Sequence, residues 1–289
     1  MNPPATSPPG HLLPCGHRVR DPEQIHYCSY LHLDELLGLQ PAADEVHHPD
    51  EHLFVVTHQS FELWFSQLRW ELRRVIAALE RDEVGFATRL MQRCAGILRL
   101  LSPMMRVLEG MTPTDFFAFR AHLSPATGSE SGQWHEVELL AGAREERFRQ
   151  HLETELSEEA EQGSQSFLWT ERLAELWNGA SVASACAALL ERRGVSPADI
   201  YREEEPGGSR YPELVLMAEA LLDFDEEVRI WRWVHARTAE RTIGPDVEGT
   251  GHTTGVRYLD AAALHREPFF PFLWKARAEL WERQQNGKP

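Results

Sequence analysis

The sequence predicts an all-α protein, a helical bundle formed by one long domain. Three observations predict it. Apolar residues recur at alternating steps of three and four over segments far longer than a strand. No segment shows the period-two alternation of a half-buried strand. The cleanest periodic segment is followed by "GPDVEGTGHTTG", where four glycines and a proline break regular structure.

Residues 1–20 are Pro-rich and aperiodic, and read as a flexible tail ahead of a single helical domain over 21–289. "IHYCSYLHLDELLGLQ" predicts a helix from Ile25 to Gln40, stopped by Pro41. A long helix starts near Asp50, with a seam of Phe54, His58, Phe61, Phe65, Leu68, Leu72, Val75 and Leu79. The next carries Phe86, Leu90, Cys94, Ile97, Leu101, Met104 and Leu108. "TPTDFFAFRAHL" opens with Thr112 as N-cap, Pro113 in the first turn and Asp115 at the third position, a strong start signal. A helix is expected over residues 132–156, then a solvated linker, "EEAEQGSQS". Shorter helices are expected over 167–178, 181–193 and 196–202, followed by the loop "EEEPGGSR". The cleanest seam comes next: Leu214, Met217, Leu221, Phe224, Val228, Trp231 and His235. A last helix is expected over about 269–284.

Charge and composition exclude several classes. The chain carries 29 Lys+Arg against 45 Asp+Glu, a formal net charge of -16. Phosphate backbones and anionic headgroups repel such a surface, so neither nucleic acid nor a membrane is expected as a partner. The N-terminus lacks the basic and apolar regions of a signal peptide. No window holds the roughly 18 apolar residues of a membrane span. Cys15, Cys28, Cys94 and Cys186 stand singly, without CxxC or CxxCH. A cytoplasmic protein with reduced thiols is the expectation.

Two histidines, His58 and His235, replace hydrophobes on otherwise apolar seams. Each alone is more readily a satisfied core histidine; as a pair on the longest helices they fit facing imidazoles around an interior cofactor. Arg120 shares a face with Phe116 and lies beside Phe119 and Leu123. A guanidinium there needs an anion, either an internal acid or a substrate carboxylate. "GTGHTTG" lacks the strand before it that a dinucleotide site requires, and fits a substrate cradle or a plain loop. Glu45 and His48 are spaced as ExxH, but no second ExxH is placed on a partner helix to build a di-iron bundle, so a polar helix start is expected.

Taken together, "YCSYLHLDELLGLQ", "DEHLFVVTHQSFELWFSQLRWEL", "FFAFRAHLSPATG", "WRWVHARTAERTIG", "GTGHTTGVRYL" and "FFPFLWKAR" resemble the tryptophan 2,3-dioxygenase family in order and spacing. The resemblance implies a homotetrameric enzyme using haem b, ferrous when active, with O2 as co-substrate. Its substrate would be a small aromatic amino acid, L-tryptophan or a substituted tryptophan, opened at the indole C2–C3 bond to an N-formylkynurenine. It implies His235 as axial ligand to the haem iron and His58 as the catalytic distal histidine that hydrogen-bonds the indole N–H. Phe54 and Phe116 would line the indole pocket, Arg120 would bind the carboxylate and Thr250 the amino-acid end. Tyr27, Tyr30 and Leu31 would come from a neighbouring subunit.

Departures from the family pattern bear on substrate and outcome. Phe116 stands where the family usually has tyrosine. "GSESGQWH" replaces "GFQSxQFR", so Ser129, Glu130 and His135 take the places of aromatic, amide and arginine side chains. His252 stands in place of glycine. A second expectation is therefore a haem-dependent monooxygenase of a tryptophan- or tyrosine-type amino acid in natural-product biosynthesis. Ala239, four residues after His235, argues against a covalently attached haem, for which a cysteine would be needed. A non-catalytic haem sensor or helical scaffold is the third.

Overall fold

The computed structural model describes residues 11–12, 16, 18–19, 21, 24–124, 126, 128–146, 149–150, 166–205, 207–249 and 255–285. Its helices are α1 (Tyr27–Tyr30), α2 (Leu33–Leu37), α3 (Pro49–Glu80), α4 (Val84–Val107), α5 (Pro113–Leu123) and α6 (Gly132–Ala141). They continue with α7 (Ser166–Asn178), α8 (Val182–Arg193), α9 (Pro212–Ile243), α10 (Val256–His265) and α11 (Pro271–Gln285). Among the described residues, strand structure is confined to two small antiparallel hairpins, His11–Leu12 with Arg18–Val19 and Glu203–Glu205 with Gly208–Ser209. The class is all-α, as expected.

The expected seams are the core. Phe61, Phe65, Leu68, Leu72, Val75 and Leu79 of α3 are buried, as are Leu90, Cys94, Ile97 and Leu101 of α4. Leu214, Met217, Leu221, Phe224, Val228 and Trp231 of α9 complete the bundle. Each such side chain contributes about 1.5–3 kcal/mol by leaving water. α4 lies between α3 and α9; α6 and α8 pack on α3, and α10 on α9.

Local chemistry sets the helix ends. Asp50 N–H donates to His48 Nδ1 (3.2 Å), so this imidazole caps α3, in keeping with the expected polar helix start. Thr112 and Asp115 form the expected capping box, with Pro113 at the first turn of α5. α6 stops at Gly142, whose φ of 144° suits glycine alone, and where a Cβ would lie 2.6 Å from that of Ala183 on α8. The expected 132–156 helix therefore ends at Ala141, and the linker and most of the expected tail lie outside the described residues. The 25–40 segment is two short helices broken at His32, which adopts φ 49°. Residues 196–202 hold only the 3-10 turn Asp199–Tyr201. α10 was not expected at all.

Two further corrections concern the cysteines and the membrane. Cys28 is disulfide-bonded, against the expectation of reduced thiols. Pairing depends on where the folded chain brings sulfurs together, and single spacing carries no such signal. Cys94 and Cys186 are free and buried, which pushes their thiols up to about 12. One segment, Glu171–Arg193, is apolar and long enough for a span by composition. It is split between α7 and α8, of 13 and 12 residues, neither of which reaches across a bilayer.

Buried charges pin the bundle. Glu136 of α6 accepts from Arg69 and Arg73 of α3 and from Arg172 of α7. Asp225 of α9, 2% exposed, accepts from the N–H groups of Phe269 (2.7 Å) and Phe270 (3.2 Å) and from Trp274 Nε1 (3.0 Å). Asp225→Ala would strand three buried donors at about 1–3 kcal/mol each. We expect a clearly lowered urea midpoint, with α11 the first element cut by limited proteolysis.

Candidate functional site

α3, α5, α6 and α9 converge on a cavity of about 610 Å3, within the range of about 300–1,000 Å3 usual for cofactor and ligand pockets. Steps of three and four place Phe54, His58, Phe61 and Phe65 of α3 along it, and Trp231, His235, Thr238 and Thr242 of α9 facing them. Phe116 and Arg120 of α5 and Trp134 of α6 fill the sides, and Gly249, Gly255 and Leu259 close it. Both seam histidines thus stand where an apolar seam leaves the core and enters one shared space.

The imidazole of His58 has a determined tautomer. Its Nδ1 lies 2.8 Å from the Phe54 carbonyl. A carbonyl only accepts, so the proton sits on Nδ1 and Nε2 keeps its lone pair. Burial lowers the pKa of His58 and keeps the ring neutral. Its ring centroid is 4.0 Å from that of Phe54.

His235 is also neutral. Burial pulls its pKa from 6.5 to about 4, with His58 adding to the effect, and the ring accepts and donates no hydrogen bond among the described residues. The depressed value means that the unfolded chain binds the proton more readily, so stability is lost as pH falls from about 6.5 toward 4. We expect the thermal midpoint of the haem-free protein to fall across that window, and the slope to flatten in His235→Phe.

Arg120 is partly buried and donates to the Glu248 backbone carbonyl. Among the described residues no carboxylate pairs with it, so the internal-acid reading does not hold. Phe54, Phe116 and Phe119 form an aromatic wall with centroids 5.3–5.7 Å apart. At another corner, buried Glu138 accepts from Arg232 (2.5 Å) and Arg266, with His135 beside it. Burial alone would raise the Glu138 pKa, but Arg232, His135 and Arg266 outweigh it and hold the carboxyl far below its ordinary range. Trp231 is 6% exposed, and its indole N–H is buried without a partner. A neutral imidazole without partners, an orphan indole donor and a cationic corner fit a metalloporphyrin with its carboxylates.

The remaining expected residues fall elsewhere. Tyr27 and Tyr30 are each 72% exposed and Leu31 40%, and none lines the cavity of its own chain. Thr250 and His252 lie outside the described residues, as does the side chain of Ser129; Glu130 and His135 line the cavity. The ligand atoms of His48, Asp50 and Asp115 lie within 4.8 Å of one another, but Asp115 already accepts from Thr112. Sequence reasoning missed Trp231, Arg232 and Glu138 as site residues. The signal for Trp231 was its place one turn before His235 on the same seam.

Comparison with known proteins converges on one family. Residues 15–178 and 191–280 match the family model described as tryptophan 2,3-dioxygenase. A curated protein of that name from Herpetosiphon aurantiacus is 34% identical over 269 residues, covering 89% of this chain and 99% of its own. One from Anaeromyxobacter dehalogenans is 34% identical over 272 residues, covering 89% and 96%. One from Nocardioides is 36% identical over 265 residues, covering 89% and 95%.

Proposed function

Because the chain belongs to the tryptophan 2,3-dioxygenase family, we propose that it is a dioxygenase that opens the indole C2–C3 bond of L-tryptophan to give N-formylkynurenine. The family is haem-dependent, and the cavity suits that group. His235 would hold the iron of a non-covalent haem b. Trp231 and the arginines around Glu138 would hold its carboxylates. When bound, ferrous haem supplies the redox-active iron that activates O2.

The chain's own residues bind and orient the substrate. Arg120, which pairs with no carboxylate among the described residues, takes the substrate carboxylate, a bidentate pairing that sets the direction of the amino acid. Phe54 and Phe116 hold the flat ring. His58 Nε2 accepts the indole N–H, because its own proton is already committed to Phe54. Thr250 meets the amino-acid end. In a homotetramer, the exposed Tyr27, Tyr30 and Leu31 reach a neighbouring subunit's cavity.

The convergence of two neutral histidines and an acid-free arginine on one cavity carries this reading. Turnover under 18O2 tests it. Two heavy atoms in a product of N-formylkynurenine mass are expected; a single one would make the enzyme a monooxygenase. For His58→Leu, kcat/KM for tryptophan should fall about 10- to 100-fold, as for a lost buried hydrogen bond and its orphaned donor. With 1-methyltryptophan, which has no indole N–H, the same substitution should change little.

A further inference from the structure

On the face of α9 turned away from His235 lies a second cleft, of about 270 Å3. Trp233, Val234, Arg237 and Arg241 of α9 line it, with Arg106 of α4 and Glu109 from the turn between α4 and α5. Three arginines and one glutamate line it, in a chain whose formal net charge is -16. Arg237 is engaged by Glu240 and Asp260, yet its Nε is buried without a partner. Arg106 and Arg241 form no ion pair with any described residue. Both are exposed and line the same cleft, so in a chain where acids so outnumber bases their charges stay available to an anion. Trp233, 48% exposed, adds an indole face beside them.

The geometry points to a second binding site here, for a small carboxylic acid bearing one planar ring. Guanidinium forks take a carboxylate bidentately, the Trp233 face takes a flat ring, and the volume suits a molecule of about benzoate size. Its wall is shared with the cavity. Glu109 accepts from the hydroxyl of Thr238 (3.2 Å), a cavity-lining residue one turn beyond His235. Asp260, which holds Arg237, sits on α10 beside the cavity-lining Leu259.

Equilibrium dialysis of ring-labelled benzoate against the haem-loaded protein tests the site, comparing wild type, Arg120→Gln and the double variant Arg106→Gln/Arg241→Gln. Arg120→Gln silences the larger cavity's own carboxylate contact. We expect one benzoate equivalent to survive in Arg120→Gln and to weaken at least about tenfold in the double variant. Acetate, without the ring, should bind at least about tenfold more weakly than benzoate. A benzoate equivalent unaffected by the double variant, no equivalent beyond the Arg120-dependent one, or equal affinity for acetate would overturn the assignment. Unchanged circular dichroism and an unchanged Soret band in the double variant distinguish a lost site from lost folding.

Discussion

His235→Ala is expected to abolish stable haem binding while leaving the bundle folded. The substitution removes the one α9 imidazole in the cavity. Loss of even an outer-shell partner of a metal ligand commonly costs 10–100-fold in affinity, so losing the ligand itself should raise the hemin dissociation rate by more than about 100-fold. The helix should survive. Alanine is the best helix former, and the neighbours of His235 on the seam, Trp231 and Val228, stay buried in the core. Hemin-reconstituted variant should show a weak or shifted Soret band, and added imidazole should restore part of it. An unchanged Soret peak would mean that the iron is held elsewhere.

Arg120→Ala should have the second largest effect, on substrate rather than haem. Breaking a desolvated charge pair from one side costs about 2–5 kcal/mol, or about 30- to several-thousand-fold in kcat/KM for tryptophan. Haem content should not change, because Arg120 contacts the Glu248 carbonyl rather than the histidine side of the cavity. Tryptamine, lacking the carboxylate, should lose far less activity. An equal loss for both substrates would assign Arg120 to holding the backbone at Glu248 instead.

Much of this was legible before any coordinates. The α3 and α9 seams could be read residue by residue, because burial on a helix repeats every three to four positions. Their exceptions, His58 and His235, stood out against that regularity. Thr112, Pro113 and Asp115 announced the start of α5, and the order of the family motifs pointed to the haem. The break at His32 and the early end of α6 were not legible. His32 is not a residue type that advertises a left-handed turn, and Gly142 stops α6 only because Ala183 of another helix presses against it. The pairing of Cys28 was hidden for the same reason.

By itself, then, the order of amino acids determined which segments coil, which faces are apolar, and which three side chains are chemically out of place. Those properties depend on neighbours within a turn or two. The tertiary structure alone decided that residues 58 and 235 open on one cavity, and that Arg120 meets a carbonyl instead of an acid. It also decided that Trp231 points an unsatisfied donor inward. Such facts are distances between elements far apart along the chain, set by the joint packing of α3, α5, α6 and α9 rather than by local periodicity.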